Sequence, residues 1–333
     1  MPRLQIDQKL AFGKLKAYVK LDAGVGEAVP VTGDSGHLRR QIENLRQRND
    51  RLSERVERQA RELKTLRRKA GGGKSRKEEP RSVFVDGAVL PPHDARPCGP
   101  TYRDDALYLR SADHDAKRLV ERLGVRPGSS LLDVGCGPGR LAIGLIRQVG
   151  EDLDYHGVDV NATWLGWAKS NLTPAHPRYK FTRLDVKSDR YNPSGATLPE
   201  DFRFPFADES FDSICLFSVF THMMPDDVRV YLRDFYRILR PGGRVLATAF
   251  LEDGVPEVEE NPAGYLGQNW SGPLHCVRYR RSFFNAMIRE AGLKIEREDS
   301  NVKVSKERDP NETYQRHLYL SKPPGNRESS ERV

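Results

Sequence analysis

Four cysteines (Cys98, Cys136, Cys215 and Cys276) are spread over 333 residues, and no two stand in a CxxC pair. That spacing gives no support to a structural zinc site or a dithiol redox couple, and it predicts a reduced, cytoplasmic protein. Long apolar runs are missing as well. No stretch reaches the about 18 apolar residues that mark a membrane span, and the opening MPRLQIDQKLAFGKLKAYVK lacks the apolar core of a signal peptide. Apolar residues make up only 37% of the chain, with a mean hydropathy of -0.67. Part of the chain is therefore expected not to build a core. Excess charge is confined to one end. The net charge is +8, yet the first 80 residues alone hold 20 Lys+Arg against 11 Asp+Glu. The remainder is nearly balanced, so nucleic acid is an unlikely partner for the main domain.

What the basic end does have is a heptad repeat. Residues 1–36 form a mixed N-terminal segment. No Gly or Pro interrupts residues 37–70, and apolar residues follow a 4-3 spacing. Ile42, Asn49, Val56 and Leu63 take the a positions, and Leu38, Leu45, Leu52, Gln59 and Leu66 the d positions. One helix cannot hide such a narrow seam, and β-branched a residues with Leu at d favour two parallel strands. The spacing predicts a coiled coil that makes a homodimer through residues 38–66, with recruitment of a different helix, or docking on the chain's own main domain, as the competing reading. AGGGKSRKEEP ends the helix, and 71–114 reads as linker and covering segment.

From residue 115 to 322 apolar strands alternate with amphipathic helices, which predicts an α/β fold with a parallel-dominated sheet covered on both faces. Residues 323–333 read as a disordered tail. The first strand runs into LLDVGCGPGR (131–140), three glycines in five positions. Inside a helix or strand each would cost stability. At the end of a strand, Gly135 and Gly137 instead allow a sharp turn and close approach by a ligand, and Gly139 allows tight packing where the next helix begins. Asp159 ends the second strand 20 residues after Gly139, the separation of a carboxylate that takes ribose hydroxyls. A dinucleotide-binding reading shares this type of turn, but GCGPG departs from G-x-G-x-x-G.

The order of motifs resembles the class I S-adenosylmethionine-dependent methyltransferases over about 115–322. LLDVGCGPGR is similar to their first motif, GVDVN to the second and RLDV to the third. PFADESFDSICLFSVFTHM and FYRILRPGGRVLATAF are similar to their fourth- and fifth-strand region. The resemblance implies a Rossmann-like, seven-stranded sheet with the last strand inserted antiparallel, and S-adenosyl-L-methionine as cofactor. It implies Asp133 near the methionine part, Asp159 with Val160 on the ribose, Asp185 with Val186 beside the adenine, and Gly135, Cys136, Gly137, Gly139 and Phe217 around the cofactor. VFTHM and the insertion KSDRYNPSGATLPEDF resemble bacterial enzymes that modify glycans or small metabolites.

Methyl transfer to a hydroxyl needs a group to take the proton, and imidazole suits that near neutral pH. His222, just past the fourth strand, is the first candidate base. His275, in the insertion after the fifth strand, is the second, with Tyr265, Trp270 and Tyr279 as candidate acceptor walls. No NPPY- or DPPY-like stretch, paired-glutamate loop or zinc-ligand cluster is present. These absences turn the expectation from nucleobase amines, protein arginine and thiols toward O-methylation of a small-molecule or glycan acceptor. A non-catalytic coiled-coil scaffold and an RNA methyltransferase are the alternatives.

Overall fold

The computed structural model describes residues 82–97, 100–300 and 315–324. The N-terminal segment, the coiled coil expected over 37–70, the first part of the linker and the tail beyond 324 lie outside the described residues. The described chain opens with a hairpin, β1 (Val83–Val85) and β2 (Ala88–Leu90), and continues into α1 (Asp105–Leu123). Then come β3 (Ser130–Val134), α2 (Arg140–Gln148), β4 (Asp154–Asp159), α3 (Ala162–Asn171), β5 (Tyr179–Arg183) and β6 (Phe211–Leu216). After β6 follow α4 (Pro225–Ile238), β7 (Leu239–Glu252), β8 (Val258–Glu260), β9 (Val277–Arg280), α5 (Arg281–Glu290), β10 (Lys294–Ser300) and β11 (Arg316–Ser321).

Alternation of side chains along the buried strands dictates the layers. Leu131, Cys215 and Leu246 pack with Ala116 and Leu119 of α1, Leu141 and Leu145 of α2, and Leu165 of α3. Their neighbours Leu132, Ile214 and Val245 pack with Val228, Leu232 and Phe235 of α4 and Phe284 and Ile288 of α5. Helices therefore cover both faces of the sheet. Strand order is β10-β11-β7-β6-β3-β4-β5. Strands β3 to β7 pair in parallel, and β11 inserts antiparallel between β7 and β10. The sheet has nine strands rather than seven, because β9 adds to β7 and β8 to β9. Both extra strands come from the insertion after the fifth strand.

Chain order and spatial order part company at β3. β4 and β5 extend to one side of it, and β6 returns to the other. Such a switch point opens a crevice at the carboxyl ends of the strands.

One boundary differs from expectation. Helix α1 begins at Asp105, inside the stretch read as linker and cover, with the Asp104 carboxylate accepting from Leu107 N–H at 2.8 Å. Its C-terminal stop is the left-handed Gly124, as the sequence predicts. The covering segment is latched by Arg96, which is buried. The guanidinium donates to the Pro91 and Tyr102 carbonyls at 2.8 and 3.0 Å, and to Asp105 at 2.6 Å.

Candidate active site

The glycine turn leaves β3 with Gly135, Gly137 and Gly139 all at positive φ. At Gly135 a Cβ would lie 2.5 Å from the Val219 side chain, so the position excludes any larger residue. Gly139 is the first residue before α2, and a Cβ there would lie 2.8 Å from Leu172.

Asp159 ties this turn to the next helix. One carboxylate oxygen accepts from Gly137 N–H and the other from Asn161 N–H, both at 2.8 Å. Asn161 in turn caps α3 by accepting from Thr163 and Trp164 N–H. Burial pushes the Asp159 carboxyl up, while the bonds from Asn161 and Gly137 favour its charged form. Each oxygen keeps a further lone pair, and Asp159 lines a cavity of about 320 Å³ at the switch point.

Gly135, Gly137, Val160, Val186, Phe217 and His222 line the same cavity. Asp133 does not. It lies in an adjoining cavity of about 280 Å³, together with Cys136 and Arg140. The two cavities share Pro97, Gly135, Gly137, Phe217 and Ser218 in their walls. Asp133 accepts from the Tyr155 hydroxyl at 2.6 Å, and its burial pushes the carboxyl up to about 6. Burial likewise raises the Cys136 thiol far out of the reactive range, so this cysteine is inert packing.

His222 is held by the Leu274 carbonyl, 2.9 Å from Nδ1. A carbonyl only accepts, so Nδ1 carries the proton in the neutral ring and Nε2 keeps its lone pair. Burial lowers the ring to about 4, against the opposing pull of the Leu274 carbonyl. The imidazole is therefore neutral at physiological pH.

Other expected site residues are placed elsewhere. Asp185 is exposed and paired with Arg183 at 2.8 Å, while its neighbours Leu184 and Val186 line the cavity. Alternation along an extended chain puts successive side chains on opposite sides, which turns the carboxylate outward. Gly139 lines neither cavity. His275 is half-buried, hydrogen-bonded within its own loop to Ser271 and set edge-on to Trp270. Trp270 and Tyr265 pack on Phe250 in a separate cluster, and Tyr279 is buried with its hydroxyl on the Met223 carbonyl. None of these four lines the main cavity, although Leu274 of the same insertion does; β9 joins β7 at Phe250–Glu252.

The wall residues that sequence reasoning missed are Trp164, Tyr191, Asp227, Tyr231 and Leu274. Trp164 had a signal, since it opens the helix straight after Asp159. Asp227 and Tyr231 are four apart, one face of a helix, but nothing local says which face meets a ligand. Among the described residues no group of three or more His, Cys, Asp or Glu side chains could hold a metal ion, and no helix is long and apolar enough to cross a membrane.

Comparison with known proteins gives the same assignment. A relative in Streptomyces halstedii, Methyltransferase GfsG, is 33% identical over 54% of this chain and 58% of its own length. The O-methyltransferase rstn1 of Aspergillus nomiae is 30% identical over 47% of this chain and 62% of its own. The chain thus spans about three fifths of these relatives. A solved TehB-like SAM-dependent methyltransferase from Corynebacterium glutamicum covers 62% of this chain and is itself covered over 86%, at 17% identity and a TM-score of 0.40. A family model described as Methyltransferase domain matches residues 108–298. That match runs over more than half of the chain and contains the glycine turn and every wall residue of the main cavity except Pro97, so the protein belongs to the methyltransferase-domain family.

Proposed function

We propose that the protein is an S-adenosylmethionine-dependent methyltransferase that acts on the oxygen of a small-molecule or glycan acceptor. One arrangement carries this reading: Asp159 and an Nδ1-protonated His222 line one cavity at the switch point. The residues present suit the cofactor. An adenosine needs acceptors for its ribose hydroxyls and a flat apolar slot for its ring. Asp159 has lone pairs to spare, and Val160, Leu184 and Val186 provide apolar surface beside it. The adjoining cavity, with Asp133 and Arg140, would take the methionine end. When bound, the cofactor supplies an electrophilic methyl group on a sulfonium sulfur.

The chain's own residues then orient the acceptor and manage its proton. As the new O–CH3 bond forms, the acceptor oxygen becomes strongly acidic, and its proton passes to Nε2 of His222. A base held at about 4 is weak, but it stays unprotonated and ready at neutral pH. Phe217 and Val219 narrow the wall and exclude competing water. The name of the Aspergillus relative supports oxygen as the atom methylated. The proposal extends to assembly: the heptads of residues 38–66 pair two copies in parallel.

Isothermal titration with S-adenosylhomocysteine tests the cofactor half. Binding at or below about 100 µM is expected, and a well-folded protein that fails to bind at that level overturns the reading. Transfer of a labelled methyl group to molecules of a cell extract tests turnover and reveals the acceptor.

A further inference from the structure

Helix α4 presents to the main cavity two polar groups that the reaction described above does not use. Asp227 and Tyr231 are four residues apart, hence on one helical face, and both line the cavity with His222. Tyr231 is 6% exposed, and its hydroxyl has no hydrogen-bond partner among the described residues. The Tyr231 side chain belongs to the wall of the cavity. Asp227 likewise has no hydrogen bond or ion pair among the described residues. The two groups sense each other: burial first, then the Asp227 and Asp159 charges, raise the Tyr231 hydroxyl. Asp227 is itself pushed up by burial and by the charges of Asp226 and Asp189.

Helix stability does not account for the position. An acid in the first turn of a helix is favourable through the dipole, but Asp226 already supplies it from solvent, 99% exposed and paired with Arg229. Asp227 is instead half-buried in the cavity wall, which carries Asp159, Lys187, Asp189 and His222 among apolar and aromatic residues. Trp164, Tyr191 and His222 form one continuous ring surface there, with centroids 5.7 and 5.6 Å apart. A carboxylate without a partner in such surroundings is costly until a donor or cation meets it. Aromatic faces beside a carboxylate favour a protonated amine over other donors. The remaining cation in the wall is Lys187, which is taken by Asp189 at 3.1 Å.

We propose that Asp227 and Tyr231 select the acceptor, and that the acceptor is a small alcohol or phenol carrying a protonated amine, held by the Asp227 carboxylate and the Tyr231 hydroxyl while its hydroxyl meets His222. This rests on the methyltransferase reading of the same cavity. The carboxylate also offsets the repulsion between an acceptor ammonium and a cationic sulfonium, which gives it a purpose during methyl transfer as well as in recognition.

The test uses the full chain in two stages. S-adenosylhomocysteine is titrated first, and failure at this stage overturns the methyltransferase reading itself. The saturated complex is then titrated with a matched pair of probes, tyramine and 4-ethylphenol, which differ by the amine. Tyramine is expected to bind at least about tenfold more tightly, the discrimination of one charge-assisted hydrogen bond. Asp227→Asn should reduce that preference to less than about twofold, with S-adenosylhomocysteine affinity retained. Equal binding of the two probes, or binding of neither, overturns the proposal. So does a loss of S-adenosylhomocysteine affinity in Asp227→Asn, which would assign the carboxylate to the cofactor. Tyr231→Phe, which keeps the ring in the core, is expected to weaken tyramine while leaving 4-ethylphenol nearly unchanged, so that the amine preference shrinks.

Discussion

Asp133 is buried near the end of β3 and His222 is half-buried past the end of β6, and desolvation moves them in opposite directions. The carboxyl is pushed up to about 6 and the imidazole down to about 4. In each case desolvation disfavours the charged form. For His222 the consequence is a base that is neutral across the physiological range. His222→Gln is expected to lower kcat by about 10²–10⁴-fold, the usual contribution of a positioned general base. S-adenosylhomocysteine affinity should stay unchanged, because the ring is assigned to the acceptor proton. In the parent protein only the unprotonated ring can act, so the rate should fall as pH drops through about 4 rather than through 6.5. An acid limb near 6.5 in the pH profile of kcat would show that the acting base does not have the lowered pKa of the desolvated His222 ring. The contrast with His275 shows where sequence reasoning stops at this scale. Both histidines sit in loops that follow strands. Only the carbonyl of Leu274, 52 positions away, distinguishes the one that is oriented in the cavity.

Elements were more legible than their exact limits or faces. Strand, glycine turn and helix at 130–148, and the acid at the end of the next strand, follow from local pattern, because turn geometry and burial there depend on near neighbours. The start of α1 was legible too, in retrospect. Tyr108, Ala112, Ala116, Leu119 and Leu123 continue one apolar stripe and are all buried. Asp185 was not legible. Its direction depends on the stretch that follows it, in which Asn192 donates to the Asp185 carboxylate at 3.2 Å. Gly144 gave no signal either, since a glycine inside a helix reads only as a mild cost. Its reason is the neighbouring helix: a Cβ there would lie 2.2 Å from the Ala112 carbonyl oxygen of α1. Gly144→Ala should therefore push α1 and α2 apart and destabilise the domain by about 1–3 kcal/mol, although alanine is the better helix former. Denaturant unfolding of the variant gives the sign directly. A gain in stability would mean that the two helices do not approach so closely.

At the scale of the whole molecule, charge divides the chain: the basic excess belongs to the first 80 residues. Every group assigned to cofactor and acceptor lies among the described residues from 82 onward, so assembly and chemistry should be separable. The heptads of 38–66 leave an apolar seam that an isolated helix cannot hide, and Asn49 at an a position would pair with its copy across a two-stranded seam at a cost in stability. Sedimentation equilibrium of the full chain is expected to give twice the chain mass. Leu45→Asp places a charge at a d position in each strand, where no partner relieves it. That variant should sediment as a monomer yet bind S-adenosylhomocysteine as the parent does. A parent chain that remains monomeric at high micromolar concentration would exclude self-pairing and turn the seam toward a different helix. Asn49→Leu supplies a second reading of the same seam. Removing the polar pair should raise the melting temperature of the assembly while admitting higher oligomers, because the asparagine holds the number of strands at two.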